Sequence, residues 1–319
     1  MAETLSRKSA APALRWLRAI AFLVGQAVLL AVTVAVAVKL ATGVPGTLHP
    51  LMLLATILYL GSHLLRIARL ALIIADPRCS LRVLTSFHFW AAAASLAIPF
   101  KLGDALRAGA LAAVVGGTRH GVTFVWIERL FDAAIFMPLL LVVALLAPGS
   151  IGIFGGFLAL TIVFVLASFG MLLLAPDNLR RAATFILRRY NSHASIAALH
   201  LIKTARSFLS EAVDKLRGRT PLLLAYSLFI WIAELAALWI VLLATSGGQD
   251  PVVALLAFFS SVVEGRTLPS SLDGGVARPF DLGVGYVLVT QLPLALCGLL
   301  ASWHFGRWSL TAAGRRSAR

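Results

Sequence analysis

The chain has 319 residues, of which 60% are hydrophobic and only 13% charged, with a formal net charge of +15 and a mean hydropathy of +0.93. That composition excludes a soluble globular domain and places the chain in a membrane. Lys and Arg lie between apolar runs and at the termini, so the positive charge marks topology and anionic headgroups rather than nucleic acid. Strand-like alternation is absent, which excludes an outer-membrane barrel. The two cysteines, Cys79 and Cys297, give no disulfide framework or Cys-rich metal site.

Arg7, Lys8, Arg15 and Arg18 precede the first apolar run and put the N-terminus in the cytoplasm. That run is too long for the core of a signal peptide and reads as a retained signal-anchor helix over about 19–40. A second helix over about 50–75 returns, and Arg66 and Arg69 near its inner end are expected to snorkel toward headgroups. Arg78 and Arg82 mark a cytoplasmic loop.

Residues 83–118 are apolar around a polar break, Ile98-Pro99-Phe100-Lys101-Leu102-Gly103-Asp104-Ala105-Leu106-Arg107. Pro99 removes a backbone donor and disfavours helix at Ile98, while Gly103 lets the chain turn. Lys101, Asp104 and Arg107 bring charge close to hydrocarbon, where each costs at least ~2.5 kcal/mol unless paired or wetted. Asp104 and Arg107, three apart, share a helix face and are expected to pair. If Arg82 and Arg119 are both cytoplasmic, the segment enters and leaves from one side. It is then either a re-entrant hairpin with its tip at the break or two very short spans.

A helix over about 122–146 carries Glu128, Arg129 and Asp132 in apolar sequence; Glu128 and Asp132 share a face and Arg129 projects about a quarter turn away. An uncharged helix over about 151–175 suits lipid or plain packing. Basic residues outweigh acidic ones over 177–219, which places that stretch in the cytoplasm. Its apolar positions from Ala198 to Leu216 recur at three and four, and a break at Asn191-Ser192 divides it into two amphipathic helices. They are expected to lie against anionic headgroups or to pack on another cytoplasmic domain or subunit.

The helix over about 221–244 holds Glu234 between Trp231 and Trp239, either a protonated, hydrogen-bonded glutamate or a proton relay. A polar loop follows, then apolar sequence broken at Leu268-Pro269-Ser270-Ser271-Leu272-Asp273-Gly274-Gly275-Val276-Ala277-Arg278-Pro279, then a last helix over about 282–305 with basic residues behind it. With the C-terminus inside, 251–281 becomes an outer re-entrant hairpin. The expected fold is all-α, a polytopic transmembrane bundle forming one integral membrane domain over 1–319, with two broken hairpins in inverted-repeat arrangement meeting near the midplane. The plain alternative is two loops that contain Pro and Gly.

Pro99-Phe100-Lys101-Leu102-Gly103-Asp104-Ala105-Leu106-Arg107 resembles the Pro-x-x-x-Gly-Glu/Asp-x-x-Arg signature of the flippase-like membrane domain of lysylphosphatidylglycerol synthases, and Glu128-Arg129-Leu130-Phe131-Asp132 resembles the Glu-Arg-hydrophobic-x-Asp that follows it. The resemblance covers nearly the whole chain. It implies lipid translocation, as in stand-alone relatives linked to hopanoid biosynthesis or lipid-linked sugars. No soluble aminoacyl-transferase domain follows Arg319, so the chain alone is not expected to make lysylphosphatidylglycerol. The late break departs from the relatives' Gly-rich turn followed by Glu.

Candidate substrate-binding residues are Lys101, Asp104, Arg107, Glu128, Arg129, Asp132, Glu234, Asp273 and Arg278. Arg107 and Arg129 suit a phosphate through forked, charge-assisted hydrogen bonds, and the carboxylates would hold those cations in an empty site. The structural alternative is that these pairs only clip helices together. Glu264, Arg266, Asp273, Arg278 and Asp281 are either site or solvated outer loop. His63, His88, His120, His193 and His200 are scattered singly and read as packing residues, so no metal or cofactor is expected. H-E-x-x-H, G-x-S-x-G and G-x-x-x-x-G-K-[ST] are absent. The expected function is translocation of a lipid or lipid-linked substrate across the inner membrane without an ATPase, with a lipid-modifying enzyme as a conceivable partner. The alternatives are a lipid-processing enzyme using Asp104 and Glu128, or a scaffold for lipid-modifying enzymes.

Overall fold

The computed structural model describes residues 50–76, 79–97, 102–146, 151–189, 193–245 and 287–317. They form helices and no strand: α1 (Pro50–Ile74), α2 (Leu81–Ala97), α3 (Leu102–Val115), α4 (Thr118–Leu146), α5 (Ile151–Arg189), α6 (His193–Leu216), α7 (Thr220–Thr245) and α8 (Leu292–Ser317), the last preceded by a π turn, Val287–Gln291. The expected signal-anchor helix, Pro99 with Lys101, and the outer hairpin with Asp273 and Arg278 lie outside the described residues. Among the described residues three helices are long and apolar enough to cross a membrane: α1, α7 and α5 from Leu158 onward. Leu53, Ile57, Leu160, Leu173, Phe229 and Leu300 are among many large apolar side chains left exposed. Hydrocarbon is the solvent that tolerates such a surface, and this is an all-helical membrane protein.

The helices pack in pairs. On α1 and α7, Ser62 and Arg66 meet Glu234 while Arg69 meets Ser227, so the two run antiparallel. On α2 and α8, Phe305 packs on Phe87 and Trp90 while Ala295 clusters with Ala93 and Ala94, again an antiparallel register. The third pair is α3 with α4, joined through Gly116 and Gly117. Gly116 has φ of 90°, a conformation in which a side chain is strained. Gly121 sets how closely these two helices cross: a Cβ there would lie 2.3 Å from the Ala108 carbonyl oxygen and 2.8 Å from the Ala112 nitrogen. Small residues allow backbones this close in lipid.

The stretch expected to form an inner hairpin contains α2 and α3, helices of 17 and 14 residues, each shorter than the ~20 residues a crossing needs. The uncharged helix expected to stop near residue 175 instead runs through Pro176 to Arg189, 39 residues in all. At 1.5 Å per residue that is about 58 Å, well beyond the ~30 Å hydrocarbon core. Pro176 removes one backbone bond, and the good helix formers Leu172 to Ala175 before it and Leu179 to Ala183 beyond Asp177 and Asn178 carry the helix through it. The basic residues Arg180, Arg181, Arg188 and Arg189 therefore belong to the projecting end of α5 and line one surface with Asp177.

Helix α6 does have the expected amphipathic pattern, but the C-terminal half of its stripe packs within the molecule. Leu209 and Ala212 are buried, and Phe208 meets Trp126 of α4. Glu211 pairs with Arg119, 3.0 Å to Nε, and with His120. Beyond it, Lys215 Nζ donates to the Ile74 carbonyl at 2.6 Å and Arg219 Nη1 to that of Leu72 at 3.0 Å, capping the C-terminus of α1 with cations. Ile196 and Leu201 on the other half stay exposed.

Candidate functional site

The charges that interrupt four apolar helices converge on one another. Asp104 on α3 and Arg129 on α4 are equidistant from the Gly116-Gly117 turn, and Arg107 with Glu128 are the next pair inward. In an antiparallel helical hairpin such residues face each other. Arg129 Nε accordingly lies 3.0 Å from Asp104 Oδ2, with a second, shorter contact from Nη2 to Oδ1. Arg107 Nη2 is 3.1 Å from Glu128 Oε1 and 3.0 Å from Oε2. The expected Asp104 with Arg107 pair along one helix is thus replaced by two pairs across the hairpin. A partner on the facing helix approaches end-on, whereas an i, i+3 pair must bend two side chains along one surface.

Helix α1 supplies two further cations. Arg69, 1% exposed, donates from Nη1 to Asp132 Oδ1 and to Ser227 Oγ, both at 2.6 Å, and its Nη2 is 3.8 Å from Glu128. Arg66 donates to Glu234 Oε1 at 2.8 Å and reaches Asp132 Oδ2 at 3.4 Å; Ser62 Oγ also donates to Glu234, at 3.0 Å. Asp132 accepts a third contact, from Arg129 Nη1 at 3.6 Å. The expectation that Arg66 and Arg69 snorkel to headgroups is therefore corrected. Carboxylates on α4 and α7 hold them inside, and a paired guanidinium has no reason to seek water. The signal was present in the spacing, since Ser62, Arg66 and Arg69 fall on one face of α1.

Six of the nine candidate residues, Asp104, Arg107, Glu128, Arg129, Asp132 and Glu234, thus join one network, and Arg66, Arg69, Ser62 and Ser227 are added to it. Lys101, Asp273 and Arg278 lie outside the described residues. The network is buried at its centre and opens most at Asp104 and Arg129: Glu128 is 2% exposed and Glu234 21%, whereas the side chains of Asp104 and Arg129 are 28% and 43% exposed. Two guanidinium donors within it, Arg69 Nε and Arg107 Nε, are buried and have no hydrogen-bond partner among the described residues. Unpaired N–H donors beside buried charge suit an incoming anion.

Two of the histidines read as isolated are not. His63 Nδ1 and His88 Nε2 are 3.0 Å apart, and His88 Nδ1 is 3.4 Å from Arg107 Nη2. Their contact links α1 to α2 and joins both rings to the ionic network. Among the described residues no group of His, Cys, Asp and Glu is placed to hold a metal ion.

The profile of the lysylphosphatidylglycerol synthase transmembrane region matches residues 16–263, more than three quarters of the chain. The chain belongs to this family. Within the lysylphosphatidylglycerol synthase transmembrane region fall every described member of the network and both histidines, while Asp273, Arg278 and α8 lie beyond it. No curated protein and no solved structure matches this family member.

Proposed function

We propose that this membrane protein moves a lipid, or a lipid-linked substrate, with a phosphate-bearing head between leaflets without an ATPase of its own. The observation that carries the reading is the buried network of arginines and carboxylates that opens outward at Asp104 and Arg129. A charged head cannot cross ~30 Å of hydrocarbon unaided, so a translocator must offer a polar route while the tails remain in lipid. Arg129 would meet the head first, and Arg107 and Arg69 would take it deeper through the N–H donors left unpaired. Membership of a family named for lysylphosphatidylglycerol synthesis supports a phospholipid as the substrate class.

In this reading 83–118 is an inner and 251–281 an outer re-entrant hairpin, both termini face the cytoplasm of a cell with an inner membrane, and Lys101, Asp273 and Arg278 extend the route. The projecting basic end of α5 would rest against anionic headgroups. A lipid-modifying enzyme would supply or consume the substrate. An acid–base enzyme acting through Asp104 and Glu128 is less well supported, because a general acid must bring a proton to the reacting bond and here a guanidinium engages each carboxylate.

The test is reconstitution of the full chain in liposomes carrying fluorescent phosphatidylglycerol, with quenching from outside and mass spectrometry of the recovered lipid. Translocation above the protein-free rate with unchanged lipid mass is expected. A changed mass, or a rate equal to that of empty liposomes, overturns the proposal.

A further inference from the structure

Among the described residues the network has no positive charge to spare. Arg66, Arg69, Arg107 and Arg129 are matched among the described residues by Asp104, Glu128, Asp132 and Glu234, so the site is formally neutral. A phosphate head arriving there brings a negative charge into a low-dielectric interior where the described residues hold no unpaired countercharge for it. A neutral base at the edge of the network relieves this by taking up a proton.

His63 and His88 provide such a base, and their hydrogen bonds fix where their protons sit. The guanidinium of Arg107 can only donate, so His88 Nδ1 accepts from it across 3.4 Å. The His88 proton is then on Nε2 and donates to His63 Nδ1 at 3.0 Å. His63 in turn carries its proton on Nε2, a buried atom without a hydrogen-bond partner among the described residues. Both rings are therefore neutral while Arg107 faces them.

Protonating His88 at Nδ1 would set two N–H groups against each other at Arg107. The pair can accept a proton only when Arg107 turns to another anion, which is what an entering phosphate offers. Glu128 contacts the same Arg107 Nη2 as His88, so a proton on His88 replaces the charge that Glu128 loses when Arg107 turns away.

The groups facing the pair come from every helix packed around it. Helix α1 brings Tyr59, Arg66 and Arg69, and α3 brings Arg107. Glu128 of α4 acts through Arg107, and Glu234 of α7 through Arg66. Helix α8 contributes Cys297 to the apolar cluster around Phe89. All the cations among them are already paired, and no carboxylate contacts either ring directly among the described residues, so the base the pair can offer is the His88 Nδ1 lone pair that Arg107 releases when it turns away.

We propose that the His63 and His88 pair takes up one proton for each anionic headgroup the network binds, making headgroup binding and proton binding linked events. The inference rests on the translocation reading above and names its coupling ion. Linkage is reciprocal, so the lipid raises proton affinity by the factor by which the proton raises lipid affinity.

The full chain in detergent micelles is titrated with short-chain phosphatidylglycerol in weakly buffered solution, with a pH indicator reading proton uptake. Uptake approaching one proton per bound lipid is expected, with the apparent Kd weakening about tenfold per pH unit in the window between the titration of the pair in the free protein and its titration in the lipid-bound protein. Short-chain phosphatidylcholine, whose head is zwitterionic, should bring no proton. His88→Gln should lose both uptake and slope; His63→Gln, which leaves the contact between Arg107 and His88 in place but removes the ring that shares the proton, should reduce both. Saturable binding of phosphatidylglycerol without uptake, equal uptake with phosphatidylcholine, or full uptake in either variant overturns the linkage and leaves the translocation reading standing. Absence of saturable phosphatidylglycerol binding in the wild-type protein overturns both.

Discussion

Arg69 of α1 and Asp132 of α4 meet at 2.6 Å although 63 residues separate them in the chain. Each is engaged elsewhere too, Arg69 with Ser227 and Asp132 with Arg66, so this contact ties α1, α4 and α7 together at one point. Removing one partner leaves an uncompensated charge in the interior. Arg69→Leu is expected to destabilise the protein by about 3–5 kcal/mol. In a double-mutant cycle, Arg69→Gln with Asp132→Asn should lose about 1–3 kcal/mol less than the two single changes together. Thermal unfolding in detergent micelles measures both, and strict additivity would show that the contact does not couple the helices.

The pair formed by Asp104 and Arg129 should behave differently. Its exposure means solvent screens much of the attraction, so Arg129→Gln is expected to cost less than about 1 kcal/mol of stability. If Arg129 grips the phosphate, the same change removes charge-assisted hydrogen bonds worth about 1.5–3 kcal/mol from the translocation step. That corresponds to a roughly ten- to hundredfold slower rate. A purely structural pair would show the reverse, stability falling while transport in liposomes stays unchanged.

Gly121 controls the crossing of α3 on α4 and through it the register of both ion pairs. Gly121→Ala would drive a Cβ into the Ala108 carbonyl oxygen, and backbone cannot swing aside as a side chain can. A loss of about 1–3 kcal/mol is expected. Gly109→Ala, where nothing stands within 4 Å of the added carbon, should be neutral or stabilising and is the matched control.

Helix α6 is held at its C-terminal half by Glu211, which pairs with Arg119 and His120. Glu211→Ala should loosen that half, seen as faster amide hydrogen exchange over 204–216, at a cost of about 1 kcal/mol or less because Arg119 is half exposed. Translocation should persist, since the network lies on other helices. Unchanged exchange would mean that the apolar contacts of Leu209 and Ala212 hold α6 alone.

Ala75 ends α1 with φ of 45°, a left-handed conformation that carries a penalty for any residue with a Cβ. Its N–H still bonds to the Ala71 carbonyl, so the turn is worth keeping. Ala75→Gly is expected to raise stability by about 0.5 kcal/mol, a gain small enough to need matched unfolding curves. A loss would mean that the entropy of the unfolded glycine outweighs the strain.

Much of this was legible in the linear chain. Apolar runs and their length determined the helices and the membrane, because a backbone in hydrocarbon must bond to itself and a crossing needs about 20 residues. The charges at 104, 107, 128, 129, 132 and 234 stood out because so few ionised groups interrupt those runs. The family followed from two short motifs in order, and residues 16–263 bear it out.

Which charge meets which was a different matter. Arg66 and Arg69 lie near a helix end, where sequence alone cannot tell a cation reaching for headgroups from one reaching for carboxylates on α4 and α7. Spacing along one helix suggested Asp104 with Arg107, yet the hairpin turn sets Asp104 against Arg129 and Arg107 against Glu128. His63 and His88, 25 residues apart, become a pair only when α1 packs on α2. A sequence determines what each helix carries and roughly where it begins; the partners of a long, flexible, charged side chain depend on how neighbouring helices are rotated and staggered, and packing alone decides that.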